Sequence, residues 1–280
     1  MKIGILGLGS IGKRHFENFR KLGCEVRGYD PGVDGYDRHQ VVGWADAIVI
    51  ATPTNSHAHD IGDMPRELPL FVEKPYVAKR WEHNSVYTQS TLMVGYNLRF
   101  HSCVIQARKW LGEGMIGKPL WANFTCAQYN DKPAYLRDGV ILNWSHEIDL
   151  ALYLLGRAEV KASVIQDELE DMASITLQHC NSECLTTIHL DYLTDPERRG
   201  FEIICENGSI EADLVARTAT TKGPNVCDVT FRGKDSYDQN YLDEARAFLD
   251  RIDGLDTIGC TAKEALEVVD ICLTAKEMAN

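Results

Sequence analysis

Three glycines near the start of the chain are spaced to bring the peptide backbone close to a phosphate. Gly7, Gly9 and Gly12 form a G-x-G-x-x-G turn between an apolar strand pattern and a helical one. The first glycine permits the tight turn, the second lets a pyrophosphate approach, and the third lets the helix pack closely on the strand. The first N–H groups of the helix, at Ser10 and Ile11, favour an anion. The motif therefore predicts a dinucleotide-binding turn.

An acidic residue indicates which dinucleotide this turn prefers. Asp30 ends the second predicted strand, at the distance of about twenty residues that is typical of the motif. A carboxylate there accepts hydrogen bonds from the ribose hydroxyls and repels a 2′-phosphate. Pro31 and Gly32 follow, so no arginine stands beside it, although Arg38 could still reach a 2′-phosphate. We expect NAD, with NADP less favoured; a βα turn without a ligand is the alternative interpretation.

The composition excludes several classes of protein. The 29 basic and 41 acidic residues among 280 give a net charge of −12, which argues against nucleic acid or an anionic membrane as the main partner. No apolar stretch is long enough for a membrane span, and no basic region precedes an apolar one, so we predict neither insertion nor export. The nine cysteines are scattered along the chain. We expect a cytoplasmic protein with reduced thiols and no metal site.

Alternating strands and helices occupy the first part of the chain. The run Ala47–Ala51 is continuously apolar, as is typical of a parallel strand buried on both faces. This strand and the next two end in polar residues, and ligands of parallel α/β folds bind at that edge of the sheet. The candidate cofactor residues at these strand ends are Thr52, Pro53, Asn55, His57, Glu73, Lys74 and Asn97.

Beyond residue 117 the pattern changes to successive strands with turn signals between them. Strand runs without intervening helices indicate a mostly antiparallel sheet and hence an α+β domain. We predict a Rossmann domain at 1–117 and a substrate-binding and oligomerisation domain at 118–280. Alternating residues on two strands are expected to form one apolar face that joins a homodimer or homotetramer through this sheet; they are Ile175, Leu177, Leu185, Thr187 and His189.

The order and spacing of several motifs resemble the glucose–fructose oxidoreductase, inositol dehydrogenase and MocA (Gfo/Idh/MocA) family over nearly the whole chain. Ser-His-Glu at 145–147 resembles one branch of that family. The resemblance implies a Rossmann domain followed by an open-faced sheet domain. The remaining motifs that carry it are Gly7 to Gly12, Thr-Pro-x-Asn-x-His at 52–57, Glu-Lys-Pro at 73–75, and the stretches 95–100, 114–119, 142–150 and 247–250.

The resemblance also implies roles for individual residues. Lys74 reaches the nicotinamide and the reacting hydroxyl, His146 takes or gives the hydroxyl proton, and Asn97 holds the nicotinamide side. These roles suit hydride transfer at a CH–OH group, because the hydroxyl must lose its proton as the carbonyl forms. Alone, Lys74 would be part of a surface turn and His146 a helix cap or core histidine. We therefore expect an NAD-dependent dehydrogenase acting on a sugar, a nucleotide sugar or a cyclic polyol.

One position departs from the family pattern. Many relatives carry an aspartate where this chain has Leu142, whereas Asn143 stands three residues before the histidine. An asparagine can hydrogen-bond His146 or a substrate hydroxyl, but it cannot hold an imidazolium by charge. Either His146 works without an anionic partner, or Glu147 or Asp149 supplies one, or the activity is weak.

A polar loop supplies the candidate substrate residues. Tyr129, Tyr135 and Arg137 lie in a polar loop before the histidine motif, where aromatic faces suit sugars and a guanidinium suits a phosphate or carboxylate. Arg99 and Asn143 are further candidates, and a solvated loop is the alternative. Two other functions remain open: a non-catalytic NAD-binding regulator of the same fold, and a dehydrogenase for amino acids or a tetrapyrrole.

Overall fold

The computed structural model of the protein describes residues 1–85, 91–131, 139–166, 169–224 and 226–279. The chain forms two compact units, and each contains two separate stretches of sequence. The first unit comprises Met1–Phe100 and Ser236–Val269, and the second comprises His101–Asp235 and Asp270–Asn280.

Helices occur in both units. In chain order they are α1 (Ser10–Lys21), α2 (Arg38–Trp44), α3 (Thr54–Gly62), α4 (Ser102–Gly112), α5 (Val140–Asn143), α6 (Ser145–Leu155), α7 (Tyr237–Ile252) and α8 (Ala262–Ala279). Two 3₁₀ segments, Arg80–Ser85 and Asn97–Phe100, follow strands of the first unit. Across the described ranges, no helix is long and apolar enough to cross a membrane.

The first unit is built on a five-stranded parallel sheet. Its strands are β1 (Lys2–Leu6), β2 (Glu25–Tyr29), β3 (Ala47–Ile50), β4 (Leu70–Glu73) and β5 (Leu92–Gly95). The strand order is β2-β1-β3-β4-β5, and every neighbouring pair is parallel. The chain therefore winds in opposite directions on the two sides of β1, and such a switch point opens a crevice beyond the carboxyl ends of the strands.

A C-terminal helix completes the core of this unit. The ring of Phe248 on α7 lies 6.3 Å from that of Phe19 on α1 and 5.6 Å from that of Phe71 on β4, both in edge-on geometry. Ala245 of the same helix joins this buried cluster. Residues 236–269 thus belong to the first unit because α7 covers apolar surface that α1 and β4 leave open.

The second unit is built on an eight-stranded sheet. Its strands are β6 (Pro119–Ala127), β7 (Ala158–Gln166), β8 (Met172–His179), β9 (Leu185–Asp191), β10 (Arg198–Cys205), β11 (Gly208–Asp213), β12 (Thr218–Lys222) and β13 (Val229–Arg232). The order is β13-β12-β11-β10-β6-β9-β8-β7, antiparallel throughout except for the parallel pair β6 and β9. The predicted fold class, a Rossmann domain followed by an α+β domain with a mostly antiparallel sheet, is confirmed.

The compact units differ from the predicted domains at 1–117 and 118–280. Helix α4 packs on β11, β12 and β13, so the first unit ends at Phe100. The other difference is the return of residues 236–269 to the first unit. Both differences arise from packing between segments that are distant in sequence, which strand and helix patterns do not encode.

The single apolar face predicted for assembly is wrong. The antiparallel register pairs Ile175 with Ile188 and Leu177 with Thr186, and these four side chains are fully buried. Because neighbours along a strand point to opposite faces, the other predicted residues, Leu185, Thr187 and His189, lie on the opposite face. A homodimer or homotetramer through this sheet stays a prediction.

A buried histidine caps α4. The Nδ1 atom of His101 accepts the N–H of Cys103 at 3.2 Å, and its Nε2 atom donates to the Leu214 carbonyl at 3.2 Å. Both bonds need the neutral imidazole with its proton on Nε2. His101 is fully buried, and this burial lowers its pKa from 6.5 to about 4.

The stability of the protein is expected to depend on the protonation of His101. As the pH falls from 6.5 towards 4, the unfolded chain binds a proton that the folded chain excludes, so roughly 3 kcal/mol of stability is lost. His101→Asn keeps a capping oxygen but does not titrate, so urea unfolding at pH 7 and pH 4.5 should show a smaller loss than in the wild type. The exposed His39→Asn is the control; equal losses in all three proteins would contradict the prediction.

Candidate active site

A cleft of about 700 Å³ opens at the carboxyl edge of the parallel sheet in the first unit. Its walls come from the β1–α1 turn, the end of β2, the start of α2 and the β3–α3 connection. The lining residues are Gly7, Gly9, Ser10, Ile11, Tyr29, Asp30, Pro31, Arg38, Ala51, Thr52, Pro53, Ser56, His59 and Asp60.

Each glycine of the turn has the geometry that its predicted task requires. Gly7 has a φ of +90°, and a Cβ there would lie 2.5 Å from the Ala51 carbonyl oxygen. A Cβ on Gly12 would overlap the Gly7 carbonyl oxygen, so only glycine lets α1 come this close to β1. A Cβ on Gly9 would meet no described atom within 4 Å, which leaves its backbone open to a ligand.

The N-terminus of α1 faces this cleft without a side-chain cap. Gly9 is its N-cap residue, and the first bond of the helix runs from the Lys13 N–H to the Gly9 carbonyl at 3.0 Å. The N–H groups of the first turn therefore point towards the cleft wall formed by Ser10 and Ile11. Such a helix end suits the pyrophosphate of a dinucleotide.

Asp30 is held in place by its own backbone surroundings. One carboxylate oxygen accepts the Leu8 N–H at 2.8 Å, and the other accepts the Gly32 N–H at 3.0 Å. These bonds, with the Leu8 bond first, hold the pKa of Asp30 below its ordinary value. Asp30 is therefore a fixed anion in the cleft, as the ribose-binding role requires.

A polar network that the sequence did not reveal forms another part of the wall. The Thr52 hydroxyl donates to Asp60 at 2.6 Å. Asp60 and Asp63 form ion pairs with the guanidinium of Arg38 at 2.9 and 3.1 Å. Thr52 was predicted as a cofactor residue, whereas Asp60 had no motif to mark it.

Two predicted cofactor residues of the β3–α3 connection, His57 and Asn55, do not line the cleft. His57 is buried, and its ring nitrogens lie 2.9 Å from the Thr52 carbonyl oxygen and 3.0 Å from the Pro75 carbonyl oxygen. It thus ties the β3–α3 turn to the segment after Lys74. Asn55 is exposed on α3 and is not among the residues that line the cleft.

A buried acid–histidine contact precedes the lysine of the Glu-Lys-Pro motif. The Nε2 atom of His15 lies 2.6 Å from a carboxylate oxygen of Glu73, and the other oxygen accepts the Lys74 N–H at 3.2 Å. Gly95 leaves room for the carboxylate, since a Cβ there would lie 3.1 Å from it. His15 therefore links α1 to the strand end that carries the half-buried Lys74.

The sequence did not predict a role for His15, because this histidine lies among apolar residues of the helical pattern. The sequence pattern predicts an apolar helix face formed by Ile11, Phe16, Phe19 and Leu22. In the structure, the buried face of α1 includes Gly12, His15 and Phe19. The signal was the position of a histidine four residues before Phe19, on the side of the helix that faces the sheet.

Asn97 and Arg99 follow β5 in the second 3₁₀ segment. The Oδ1 and Nδ2 atoms of Asn97 are buried and have no hydrogen-bond partner among the described residues. This fits a residue whose partner is a bound carboxamide. Arg99 is 2% exposed and donates to Glu264 at 3.1 Å. This ion pair ties the segment to the start of α8, and the substrate role of Arg99 stays a prediction.

In the second unit, the predicted histidine motif lies where α5 passes into α6. His146 is buried in the first turn of α6, and the Asn143 amide donates to the Tyr192 hydroxyl at 2.7 Å. Arg199 holds Glu147 through two bonds of 2.7 and 3.1 Å. Glu147 is thus engaged by an arginine, which weakens its case as the anionic partner of His146.

The predicted substrate loop is only partly described. Tyr129 is 62% exposed, and its backbone N–H donates to the Thr194 carbonyl at 2.7 Å. Its ring is therefore exposed, while its backbone is held in place. Tyr135 and Arg137 lie outside the described residues.

Family models of known proteins match a part of each unit. Residues 104–211 match the family model of the GFO/IDH/MocA C-terminal domain. Residues 1–66 match the NAD-binding domain of D-isomer specific 2-hydroxyacid dehydrogenases.

Individual relatives agree with these matches. Inositol 2-dehydrogenase of Rhizobium meliloti is 28% identical over 62% of this chain and 60% of its own length. Myo-inositol 2-dehydrogenase of Thermotoga maritima is 25% identical over 90% of this chain and 88% of its own. The structure of UDP-N-acetylglucosamine 3-dehydrogenase from Acidithiobacillus ferrooxidans has the same fold, with a TM-score of 0.83 at 18% identity over 99% of this chain and 97% of that one.

The fold, the cleft and the matched NAD-binding domain together support a Rossmann-type NAD-dependent oxidoreductase. The C-terminal domain match and the inositol dehydrogenase relatives support a Gfo/Idh/MocA family oxidoreductase. The predicted family and the predicted cofactor NAD are thereby confirmed, whereas the Ser-His-Glu branch stays a prediction.

The fixed carboxylate of Asp30 predicts a preference between the cofactors. NADH should bind more tightly than NADPH by roughly 1–3 kcal/mol, the value of one hydrogen bond to a charged group. Asp30→Asn keeps an acceptor for the Leu8 N–H but removes the charge, so it should narrow this difference. Fluorescence titration of both cofactors measures it, and equal or tighter NADPH binding by the wild type would contradict the prediction.

The contact between His15 and Glu73 predicts a large effect on stability. His15→Ala leaves a buried carboxylate without its side-chain partner and should cost about 3 kcal/mol. His15→Gln restores an N–H donor and should recover part of the loss. Urea unfolding at pH 7 measures both, with the exposed His39→Ala as control. If the His15→Ala protein were as stable as this control, the contact between His15 and Glu73 would not stabilise the fold.

Proposed function

We propose that the protein transfers a hydride between NAD(H) and a carbinol carbon of a cyclic polyol, a sugar or a nucleotide sugar. The observation that carries the proposal is the cleft in the first unit, where an uncapped helix N-terminus and the fixed Asp30 line one wall. These are the two features that a dinucleotide needs for its phosphates and its ribose.

The second requirement is a group that handles the hydroxyl proton. NAD, when bound, supplies the hydride acceptor or donor, and the protein must move the proton and position the carbinol. His146 suits the proton transfer, since an imidazole can both accept and donate a proton. Lys74 suits the stabilisation of negative charge on the reacting oxygen. Both roles derive from the family motifs and from the chemistry of these side chains.

Asn143 has a positioning role in this proposal. Its amide donates to Tyr192, whose ring packs against Trp144 at 4.5 Å in edge-on geometry. The segment before His146 is therefore anchored by an aromatic pair and an amide. Since an amide carries no charge, Asn143 cannot stabilise a protonated His146 as an aspartate would.

The substrate class is proposed from the relatives. The two curated relatives are named as inositol dehydrogenases, so a cyclic polyol is the first candidate substrate. A sugar or nucleotide sugar is the second, and the exposed ring of Tyr129 offers the flat apolar surface on which a sugar stacks. A non-catalytic NAD-binding regulator is the alternative function.

Substitution of the catalytic pair tests this function. Lys74→Met and His146→Ala should each lower turnover by about 10²–10⁴-fold, the usual effect of losing a positioned acid–base group. NAD reduction is followed at saturating NAD with a panel of inositols, free sugars and nucleotide sugars. His189→Ala, which replaces a more exposed histidine of the same unit, is the matched control.

The binding of the cofactor separates the possible outcomes. NADH affinity should stay within about twofold in His146→Ala, because the proposed role is on the substrate. Turnover that survives both substitutions would place the chemistry elsewhere. A wild type that binds NADH but converts no member of the panel would favour the regulator.

A further inference from the structure

Arg38 lies in the wall of the cofactor cleft but is bound by acids of the same wall. Its guanidinium pairs with Asp60 at 2.9 Å and with Asp63 at 3.1 Å, and its side chain is 25% exposed. Asp30 lines the same cleft. The cleft thus contains a cation of the kind that binds a 2′-phosphate, but this cation is already paired.

The two acids hold Arg38 in different ways. Asp60 is 6% exposed in its side chain and also accepts the Thr52 hydroxyl at 2.6 Å. Its position is therefore set by the β3–α3 turn. Asp63 is 46% exposed and has a second basic neighbour, His59, at 3.5 Å. Asp63 is consequently the partner that can be altered without disturbing the turn.

The charges of this group disfavour a phosphate. Arg38 contributes one positive charge, whereas Asp60, Asp63 and Asp30 contribute three negative ones. A 2′-phosphate adds up to two more negative charges and would have to displace a carboxylate to reach the guanidinium. A ribose hydroxyl meets no such barrier, because it only donates to Asp30.

We propose that Asp60 and Asp63 are specificity-determining residues that keep Arg38 from binding a 2′-phosphate. Asp30 excludes NADP by repulsion, and the two acids exclude it by occupying the arginine that would otherwise receive it. Arg38 is then a latent phosphate ligand. The inference rests on the dinucleotide assignment of the cleft and does not depend on the substrate.

A series of variants separates the two contributions. Asp30→Asn removes the repulsion, and Asp63→Asn added to it releases one side of Arg38. NADPH should bind about tenfold more tightly to the double variant than to Asp30→Asn alone, as expected for one charge-assisted contact. Arg38→Gln added as a third change should abolish that gain. Calorimetric titration of NADH and NADPH on the whole chain measures each step.

Two controls exclude a general effect of charge or of folding. Asp238→Asn in the Asp30→Asn background removes one negative charge from an acid that is 75% exposed on α7, and it should change NADPH affinity less than twofold. NADH affinity should stay within twofold between Asp30→Asn and the double variant, because Asp63 does not line the cleft.

Three results would overturn the proposal. The first is equal NADPH affinity in Asp30→Asn and the double variant. The second is a gain that persists without Arg38, which would assign the contact to His59. The third is an equal gain from Asp238→Asn. A wild type that binds neither cofactor would refute the dinucleotide assignment itself, whereas loss of turnover with intact binding would affect only the proposed reaction.

Discussion

The close approach of α1 to β1 is the constraint on which the rest of the first unit depends. It exists because Gly12 has no side chain to collide with the Gly7 carbonyl oxygen. At this distance the first turn of α1 faces the cleft, and His15, further along the helix, reaches Glu73 at the end of β4. One helix therefore positions both the proposed phosphate-binding surface and the strand end that carries Lys74.

In the second unit, side-chain contacts surround the histidine motif. Arg199 forms an ion pair with Glu147, and Asn143 donates a hydrogen bond to Tyr192. The ring of Tyr192 packs on Trp144. The short helix α5 and the start of α6 are held from β9–β10 and the loop between them. His146 thus lies in the first turn of a helix whose N-terminal end is anchored to the sheet.

Local patterns in the sequence predicted the features that depend on neighbouring residues. The turn between β1 and α1 and the buried strand β3 have the predicted structure, because glycine spacing and apolar runs are short-range patterns. Asp30 follows β2 as predicted, and its role towards the ribose stays a prediction. Features made by distant segments were not predictable in this way. Three features depend on tertiary packing, which local sequence patterns do not reveal. They are the contact of His15 with Glu73, the ion pair of Asp60 with Arg38, and the register of β8 on β9.

The discontinuity of the first unit has a consequence for biosynthesis. Phe248 of α7 packs against Phe19 and Phe71, yet it follows them by more than a hundred and seventy residues in the chain. A ribosome therefore releases the whole second sheet before the helix that seals the nucleotide-binding core emerges. Until then α7 cannot cover the aromatic surface of α1 and β4, and exposed apolar surface of this kind favours aggregation during folding.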